Sequence, residues 1–563
     1  MIDRTAILSF VFLFLLGCNG LISGFGGGSG DNAPGENDPN LSADELQKQY
    51  VSRRIWRLST EDYQASIKAL LGDTTLPPVA FVNDPAEGGF GNAAANLRVN
   101  DSLAEQYMSA AEYYAERAQA NLVSLLPCSA SDGEDNCAEQ FIRDFAPKAF
   151  RRDVLDAEVT ALMQVYSDGR EPAFEDGISN VIQTILVSPS FLYRTELGPA
   201  DDMTSVVPLL DHEVATLLAF FVTGAPPDEE LRAAASAGEL LDADVREAHA
   251  RRLYSKAGEH FAGFVREWLG MENVALMTKD ETFFPNFSEN TAQSMQTEID
   301  TFVEKILVEG DTLYTTLMTA NYSYIDSGLA SLYGVPAPST AFSRVDFNPT
   351  QRAGLLTQAG VLGTYADSRR SSPTRRGKFI WTRFLCNELG APPAGVDTSI
   401  VGEEPPPGST NRQVVEAHAM DPTCAGCHNV IDPLGFGLEN FDALGQWRDT
   451  DNGSAVDASG SVYNYNATEF EGLSTPLTSD GNFDGPVELS WYLANSEEAK
   501  QCFVKNVTEF MLGISRSQQE LRDNLAAFAY PGFAGADTST LQLLVEIVRS
   551  NTFVERANVE GAQ

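Results

Sequence analysis

The sequence has little positive charge, few histidines and few cysteines, and these shortages narrow the classes of function. Lys and Arg number 38 against 79 Asp and Glu, so the net charge of the 563-residue chain is −41. No basic stripe is available to neutralise phosphates, which excludes nucleic acid as a partner. The motifs G-x-S-x-G, H-E-x-x-H and Walker A are also missing, so the common signatures of serine hydrolases, zinc proteases and P-loop nucleotide hydrolases are absent.

Two of the scarce cysteines and one of the scarce histidines fall within five residues. Cys424, Cys427 and His428 form the pattern C-x-x-C-H, in which the thiols can form thioethers with haem vinyl groups and the histidine can ligate the iron. Because positions i, i+3 and i+4 share one face of a helix, the three side chains should project together. The pattern therefore predicts one covalently attached haem c.

The flanks of the motif predict where its helix begins and ends. Asp421 is a favoured N-cap residue, and Pro422 stands at the first helical position, where proline is favoured. Asp432 precedes Pro433, and the residue before a proline is disfavoured in the helical conformation. We therefore expect the helix to stop at Asp432.

Two other interpretations of the motif stay open. His418 could join Cys424, Cys427 and His428 in a Cys₂His₂ metal site, although adjacent residues would then have to bind one ion. The two cysteines could instead form a structural disulfide beside a bystander histidine. A thioredoxin-like redox site is disfavoured, because no strand–helix–strand pattern surrounds the motif.

His418 and Met511 are the candidates for the sixth iron ligand. His418 lies upstream on the approach to the motif, and Met511 is the one methionine that follows His428. Met511 sits in an apolar helix, where core packing is the simpler role. Met420 is a third option, and an open or water-bound position is a fourth. The choice matters because a six-coordinate iron carries electrons, whereas an open iron can bind oxygen or peroxide.

Charged residues around the motif have expected roles as well. Arg375, Arg376 and Arg448 are candidates for binding haem propionates, because a guanidinium group pairs with carboxylates in bidentate fashion. Ion pairing at the surface of an acidic protein is the alternative. Three acidic residues are expected to order the loop after the motif by accepting backbone N–H groups: Asp432, Glu439 and Asp442.

The N-terminus predicts export. Residues 1–18 have the features of a lipoprotein signal peptide, with an apolar core too short to span a bilayer and the ending Leu15-Leu16-Gly17-Cys18. Cys18 would then carry the lipid anchor; an ordinary signal peptide or an uncleaved anchor is the alternative. Residues 19–43 are rich in Gly, Ser, Asn and Asp and predict a flexible linker. The expected location is the periplasm, the outer membrane or the cell surface.

An oxidising compartment also accounts for the other cysteines. Four cysteines lie outside Cys18 and the C-x-x-C-H motif, and an even number of cysteines in an oxidising compartment predicts two disulfides. We expect Cys128 to pair with Cys137 across a turn-rich loop, and Cys386 to pair with Cys502. Four cysteines allow three pairings, and free buried thiols are the alternative.

Most of the remaining sequence has the apolar spacing of amphipathic helices, and strand patterns are few. One helix is predicted from Asp101 to Leu126, and another is predicted to carry both His249 and His260. The fold class is therefore mostly α: a multi-module helical protein with a cytochrome-c-like CxxCH helix and few short strands. The pattern S-x-x-F-x-x-R occurs at 188–194 and again at 550–556, which indicates a weak repeat or two similar helix ends.

The segment after the motif resembles a known family. The run from Ile431 to Asp442, followed by Trp447-Arg448, resembles the planctomycete and myxobacterial cytochrome-c-like multidomain exported proteins, which are built of consecutive modules of unknown function with a C-terminal CxxCH module. The resemblance implies export and a haem site, and it implies no known reaction. It covers nearly the whole mature chain, as an N-terminal helical module 44–127, a second module 137–200, a central module 208–335, the CxxCH haem-motif module 344–465 and a C-terminal helical module 466–558.

Together these features predict an exported c-type haem-binding lipoprotein that transfers electrons at the cell envelope. A redox partner protein is expected. The acidic composition is typical of a soluble, self-repelling surface, and electrostatic steering of a cationic partner is the alternative. Two alternatives stay open: a haem peroxidase- or oxidase-like enzyme with an open iron site, and an envelope scaffold with a metal or a disulfide at the CxxCH motif.

Overall fold

The structure of the protein, a computed structural model, describes residues 42–390, 406–463 and 481–559. The predicted signal peptide, Cys18 and the linker as far as residue 41 lie outside the described residues. The predicted fold class is confirmed, because helices dominate the described residues and the strands are few and short. None of the described helices is both long and apolar enough to span a bilayer.

Ten α-helices are described up to residue 254. They are α1 (Ala43–Gln49), α2 (Thr60–Leu71), α3 (Asp101–Ala120), α4 (Glu134–Phe150), α5 (Asp156–Gly169), α6 (Phe174–Val187), α7 (Pro189–Leu192), α8 (Asp211–Thr223), α9 (Glu229–Ala237) and α10 (Ala243–Tyr254).

The helices after residue 254 include the one that carries the C-x-x-C-H motif. They are α11 (Gly258–Trp268), α12 (Glu289–Val303), α13 (Tyr314–Thr319), α14 (Ser327–Tyr333), α15 (Ala359–Thr364), α16 (Pro373–Phe379), α17 (Asn411–Ala419), α18 (Pro422–Phe436), α19 (Pro486–Asn495), α20 (Glu497–Leu512), α21 (Gln519–Gly535), α22 (Thr540–Arg549) and α23 (Asn551–Val554).

The strands form two-stranded antiparallel sheets in the part of the chain that the structure describes. The pairs are β1 (Arg54–Arg57) with β2 (Tyr193–Glu196), β3 (Val206–Pro208) with β10 (Glu555–Ala557), β4 (Tyr322–Ile325) with β5 (Ser343–Asp346), β6 (Thr450–Asp451) with β7 (Ser454–Ala455), and β8 (Ser459–Ser461) with β9 (Asn482–Asp484).

Two predicted helices differ from the observed ones. The helix that starts at Asp101 ends at Ala120, and the chain continues in a short 3₁₀ turn, where the side chain of Val123 is 91% exposed and has no core to join. His249 and His260 lie on separate helices, α10 and α11, because the chain turns between Tyr254 and Gly258. The apolar spacing alone did not reveal either break.

The described residues group into two compact units. The first contains the residues up to 253 together with 509–525 and 547–559, and the second contains 254–508 and 526–546. The core of the first unit has Tyr63 at its centre, in ring contact with Tyr107 and Phe191. In the second unit, the buried Trp268 ring stands edge-on to Phe384 at a centroid distance of 4.9 Å. Such aromatic contacts add to the stability that burial gives.

The repeated S-x-x-F-x-x-R pattern corresponds to two similar turns from a helix into a strand. The hydroxyl of Ser188 accepts the N–H of Phe191 at the start of α7, and that of Ser550 accepts the N–H of Phe553 at the start of α23. Each short helix runs directly into a strand, β2 or β10. Both copies bury the aromatic ring and the guanidinium group, namely those of Phe191, Arg194, Phe553 and Arg556.

A buried carboxylate joins these strands in the first unit. Glu196, which is 2% exposed, accepts hydrogen bonds from Arg54, from the indole N–H of Trp56 and from Arg556. Burial by itself raises the pKa of Glu196, but Arg54 and Arg556 outweigh burial and lower the pKa to about 2. The carboxylate is therefore charged in the folded protein, and its partners depend on that charge.

We expect Glu196→Gln to lower the free energy of unfolding of the first unit by about 3–5 kcal/mol, because the substitution leaves two guanidinium groups without their counter-charge. The lowered pKa means that this stabilisation is present above the ordinary value of 4.5 and is lost as the pH falls towards 2. Urea denaturation measures the effect.

Glu139→Gln is the control for this prediction, because Glu139 pairs with Arg143 at the surface and both side chains are 47% exposed. Such a pair contributes about 1 kcal/mol or less. Equal losses of stability in the two variants would contradict the role given to Glu196.

Candidate functional site

The C-x-x-C-H motif occupies the first turns of α18, as the sequence predicts. The Asp421 carboxylate caps the helix by accepting the N–H of Thr423 at 2.8 Å, and Pro422 takes the first helical position. The turn that carries Cys424 and Cys427 lies at the surface, whereas the last turns, from Ile431 onward, are largely buried. The thiols therefore lie towards the surface, on a helix whose C-terminal turns are packed in the interior.

The expected end of this helix at Asp432 is wrong. The helix continues through Pro433 to Phe436. Its last turns pack tightly on α16, where a Cβ on Gly435 would lie 1.9 Å from the carbonyl oxygen of Pro373. Leu434 and Phe436 in these last turns are buried, and that burial outweighs the local preference of the residue before a proline.

The four described cysteines outside the motif form the two predicted disulfides. The disulfides Cys128–Cys137 and Cys386–Cys502 are both formed. Cys424 and Cys427 are free thiols, the first half-buried and the second exposed. The motif in this structure is therefore not a disulfide, and both sulfurs are available for covalent chemistry.

A buried carboxylate orients the histidine of the motif. Nδ1 of His428 lies 2.8 Å from Oδ2 of Asp432, one turn further along the helix, and Oδ1 of Asp432 accepts the hydroxyl of Thr374 at 2.8 Å. Because a carboxylate accepts, Nδ1 carries the hydrogen, and Nε2 is the nitrogen left with a lone pair. Nothing among the described residues hydrogen-bonds that nitrogen. Pairing with Asp432 raises the pKa of His428, against the opposing effect of burial.

Asp432 has a role that sequence reasoning missed. It was expected to accept backbone N–H groups, but it accepts the side chains of His428 and Thr374. The i, i+4 spacing of His428 and Asp432 was the available signal, since such pairs meet on a helix. The contact from Thr374, on α16, had no sequence signal because it depends on how two helices pack.

His418 lies beside the motif. It stands near the C-terminal end of α17, and its ring contacts the His428 ring edge-on, with the centroids 5.0 Å apart. The side chain of Met420, between the two helices, is 83% exposed. Met511 is 5% exposed on α20 and is counted in the first unit, whereas the motif belongs to the second. The identity of a sixth ligand stays a prediction.

Arg376 lies inside the second unit, and its side chain is 1% exposed. Its guanidinium donates to the backbone carbonyls of Leu362, Leu438, Phe441 and Asp442 at distances between 2.6 and 3.2 Å. Burial lowers the pKa of Arg376 to about 10. Arg376 therefore connects the loop after α18 to α15. To bind a haem propionate, its guanidinium group would have to give up hydrogen bonds to these carbonyls.

Arg448 is engaged in the same loop. It donates to the backbone oxygen and the buried carboxylate of Glu439, to Asp451 and to Ser371. Burial raises the pKa of Glu439, and the two arginines oppose that effect. The propionate role of Arg448 stays a prediction, while its observed role is to hold the loop.

Arg375 and Asp442, for which the sequence also predicts roles, have partners within the protein. Arg375 forms an ion pair of 2.7 Å with Asp367. Asp442 orders the loop as expected, because one of its carboxylate oxygens accepts the N–H groups of Leu444 and Gln446 at 2.8 and 2.9 Å. The segment that resembles a known family is thus held rigid by its own polar groups.

The geometry does not favour the metal-site interpretation of the motif. In the ranges that the structure describes, no group of three or more His, Cys, Asp and Glu side chains is arranged to hold a metal ion. The Cys₂His₂ set with His418 is therefore not assembled. The donors that are present, two free thiols and one oriented imidazole, instead match the needs of covalent haem attachment.

Comparison with protein families gives four matches in chain order, each described as a protein of unknown function. They are PSD3 (DUF1587) over residues 56–120, PSD5 (DUF1595) over 137–196, PSD4 (DUF1592) over 209–335 and PSCyt3 (DUF1588) over 352–451. Four consecutive modules of this kind support a planctomycete-type multidomain protein. The last match contains the C-x-x-C-H motif. No curated protein and no solved structure matches the chain significantly.

We expect Asp432→Asn to lower the pKa of His428, because the substitution removes the negative charge that favours the imidazolium. In the unmodified protein the raised pKa stabilises the fold below about pH 6.5, and this contribution is lost as the pH rises through the pKa of the folded state. Titration of the His428 ring by NMR in the haem-free protein measures the shift.

Asp421→Asn is the matched control, because it makes the same chemical change on the same helix and asparagine also serves as an N-cap. It should leave the titration of His428 nearly unchanged. An unaltered pKa in Asp432→Asn would show that the carboxylate does not control the imidazole.

Proposed function

We propose that the protein carries one haem c, attached through Cys424 and Cys427 with His428 as an axial ligand, and transfers electrons to a redox partner at the cell envelope. The observation that carries this proposal is the hydrogen bond between Nδ1 of His428 and the buried Asp432. Histidines that ligate metals almost always donate their second ring N–H to a carboxylate, a carbonyl or water. The imidazole is held in that arrangement before any haem is bound.

The two thiols support the same function. They are free and reachable from solvent, and they stand at i and i+3, four residues and one residue before the histidine. Haem supplies a reversible one-electron couple when it is bound, and the chain supplies its anchors and its orientation. Asp432 would make the imidazole a more basic ligand, which favours the oxidised iron. The PSCyt3 name of the matching module points in the same direction.

The compartment belongs to the proposal as well. Disulfides such as Cys128–Cys137 and Cys386–Cys502 persist in oxidising compartments. They support export through the predicted signal peptide, with a lipid anchor at Cys18. A protein with a net charge of −41 would attract a cationic redox partner more readily than an acidic one.

A second candidate is a peroxidase- or oxidase-like enzyme with an open iron position. The pairing of His428 with Asp432 favours it, since a ligand that pushes electron density towards iron assists O–O cleavage. The two candidates differ in whether a protein side chain fills the sixth position. The contact between the rings of His418 and His428 supports His418 as the sixth ligand in the electron-transfer candidate.

In a host that matures c-type cytochromes, we expect the full chain to gain the mass of one covalent haem and to show a c-type α band in the reduced-minus-oxidised spectrum. Replacing Cys424 and Cys427 with alanine should abolish covalent attachment, because no thioether can form. His249→Gln, on α10 of the first unit, is the control and should retain the band. Unmodified protein without an α band would overturn the proposal.

If the protein is an electron-transfer protein, side chains would fill both axial positions of the iron. We therefore expect its reduced form not to bind carbon monoxide. His418→Ala should create carbon monoxide binding, whereas Met511→Leu, which conserves volume in a core position, should not. Difference spectra measure both. Binding by the unmodified protein would favour the enzyme candidate instead.

A further inference from the structure

Lys279 lies in a small cavity of the second unit, of about 260 Å³. Its Nζ donates to the backbone oxygens of Gly363 and Asp367, both at 2.9 Å, and these two residues also line the cavity. Two of the three ammonium hydrogens are thereby used. In the described ranges no Asp or Glu side chain forms an ion pair with Lys279, so the third hydrogen has no protein anion to meet.

The charge of Lys279 is poorly compensated. Lys279 is half-buried. Carbonyl dipoles hold its ammonium group but do not neutralise it, and partial removal of a charge from water without a paired counter-ion is unfavourable. Burial lowers the pKa of Lys279 to about 8, and the charge of Arg376 acts in the same direction. Arg375 and Arg376 disfavour the charged form of Lys279, and Asp367 and Asp442 oppose that effect.

Besides Lys279, the lining contains one carboxylate, that of Asp367, which pairs with Arg375, and otherwise neutral hydrogen-bonding groups. Amide and hydroxyl side chains line it at Asn273, Thr278, Thr364 and Ser368. The volume is below the range of about 300–1,000 Å³ that is usual for larger organic ligands. The cavity therefore combines an ammonium group that has no ion-pair partner among the described residues with several groups that can bond hydroxyls, in a space that suits a small molecule.

We propose that this cavity binds a small organic acid that carries hydroxyl groups, with its carboxylate accepting the remaining hydrogen of Lys279. The hydroxyls of the ligand would meet Asn273 and the Thr and Ser side chains of the lining. None of the lining residues belongs to the C-x-x-C-H helix or contacts His428, so the site does not rest on the proposed haem function.

Gluconate is a suitable probe, and sorbitol is its matched control, because it keeps the six-carbon hydroxyl skeleton and lacks the carboxylate. By isothermal titration of the full chain, we expect gluconate to bind, and sorbitol to bind at least about tenfold more weakly, since hydrogen bonds to charged groups are the strong ones. Lys279→Met should weaken gluconate binding by a similar factor.

Thr278→Trp tests the site without touching the bonds of Lys279, because Thr278 lines the cavity from an exposed position. The tryptophan should block the binding of gluconate. If circular dichroism shows that Lys279→Met does not fold, Thr278→Trp is the variant that tests the proposal. The proposal is overturned if gluconate does not bind, if both variants bind it as well as the unmodified protein, or if sorbitol binds equally. Binding of inorganic phosphate in place of gluconate would overturn the hydroxy-acid assignment.

Discussion

The close contact between α16 and α18 fixes the base on which the candidate haem site stands. A Cβ on Gly377 would lie 1.9 Å from the carbonyl oxygen of Ile431, and one on Gly435 would lie equally close to that of Pro373. Only glycine allows two helix backbones to approach so closely. This approach brings Thr374 to Asp432 and so helps to orient His428. The two free thiols therefore lie on a helix whose far end cannot move without breaking a buried contact.

Several of the few basic residues of this acidic chain are buried. Arg57, Arg246, Arg376 and Arg556 are among the largest fully buried side chains. Arg376 donates to three backbone carbonyls in the loop after the motif helix and to one on α15. Arg556 donates to the buried carboxylate of Glu196. A guanidinium group suits this work because its fixed fork of donors can satisfy several acceptors at once. The surface is left still more acidic, which matters for any partner that approaches by electrostatic attraction.

Lys279 and Arg376 illustrate two environments for a cation. Arg376 is buried, its terminal nitrogens donate to backbone carbonyls, and it stands near Glu439. Lys279 is half-buried, has two carbonyl partners and faces the cavity in which we propose that a small acid binds. Sequence patterns pointed to the arginines around the motif and gave no sign of Lys279, because its cavity is formed by segments some 90 residues apart.

The amino-acid sequence by itself determined the features that depend on neighbours along the chain. Asp421 and Pro422 start the motif helix, the spacing of Cys424, Cys427 and His428 places them on one face, and the count of cysteines outside the motif indicated two disulfides. Tertiary structure decided the rest. It carried α18 past Pro433, gave Asp432 a histidine and a threonine as partners, and drew Arg376 into the interior. Each of these depends on burial against a distant segment, and such packing energies exceed the local preferences that a sequence displays.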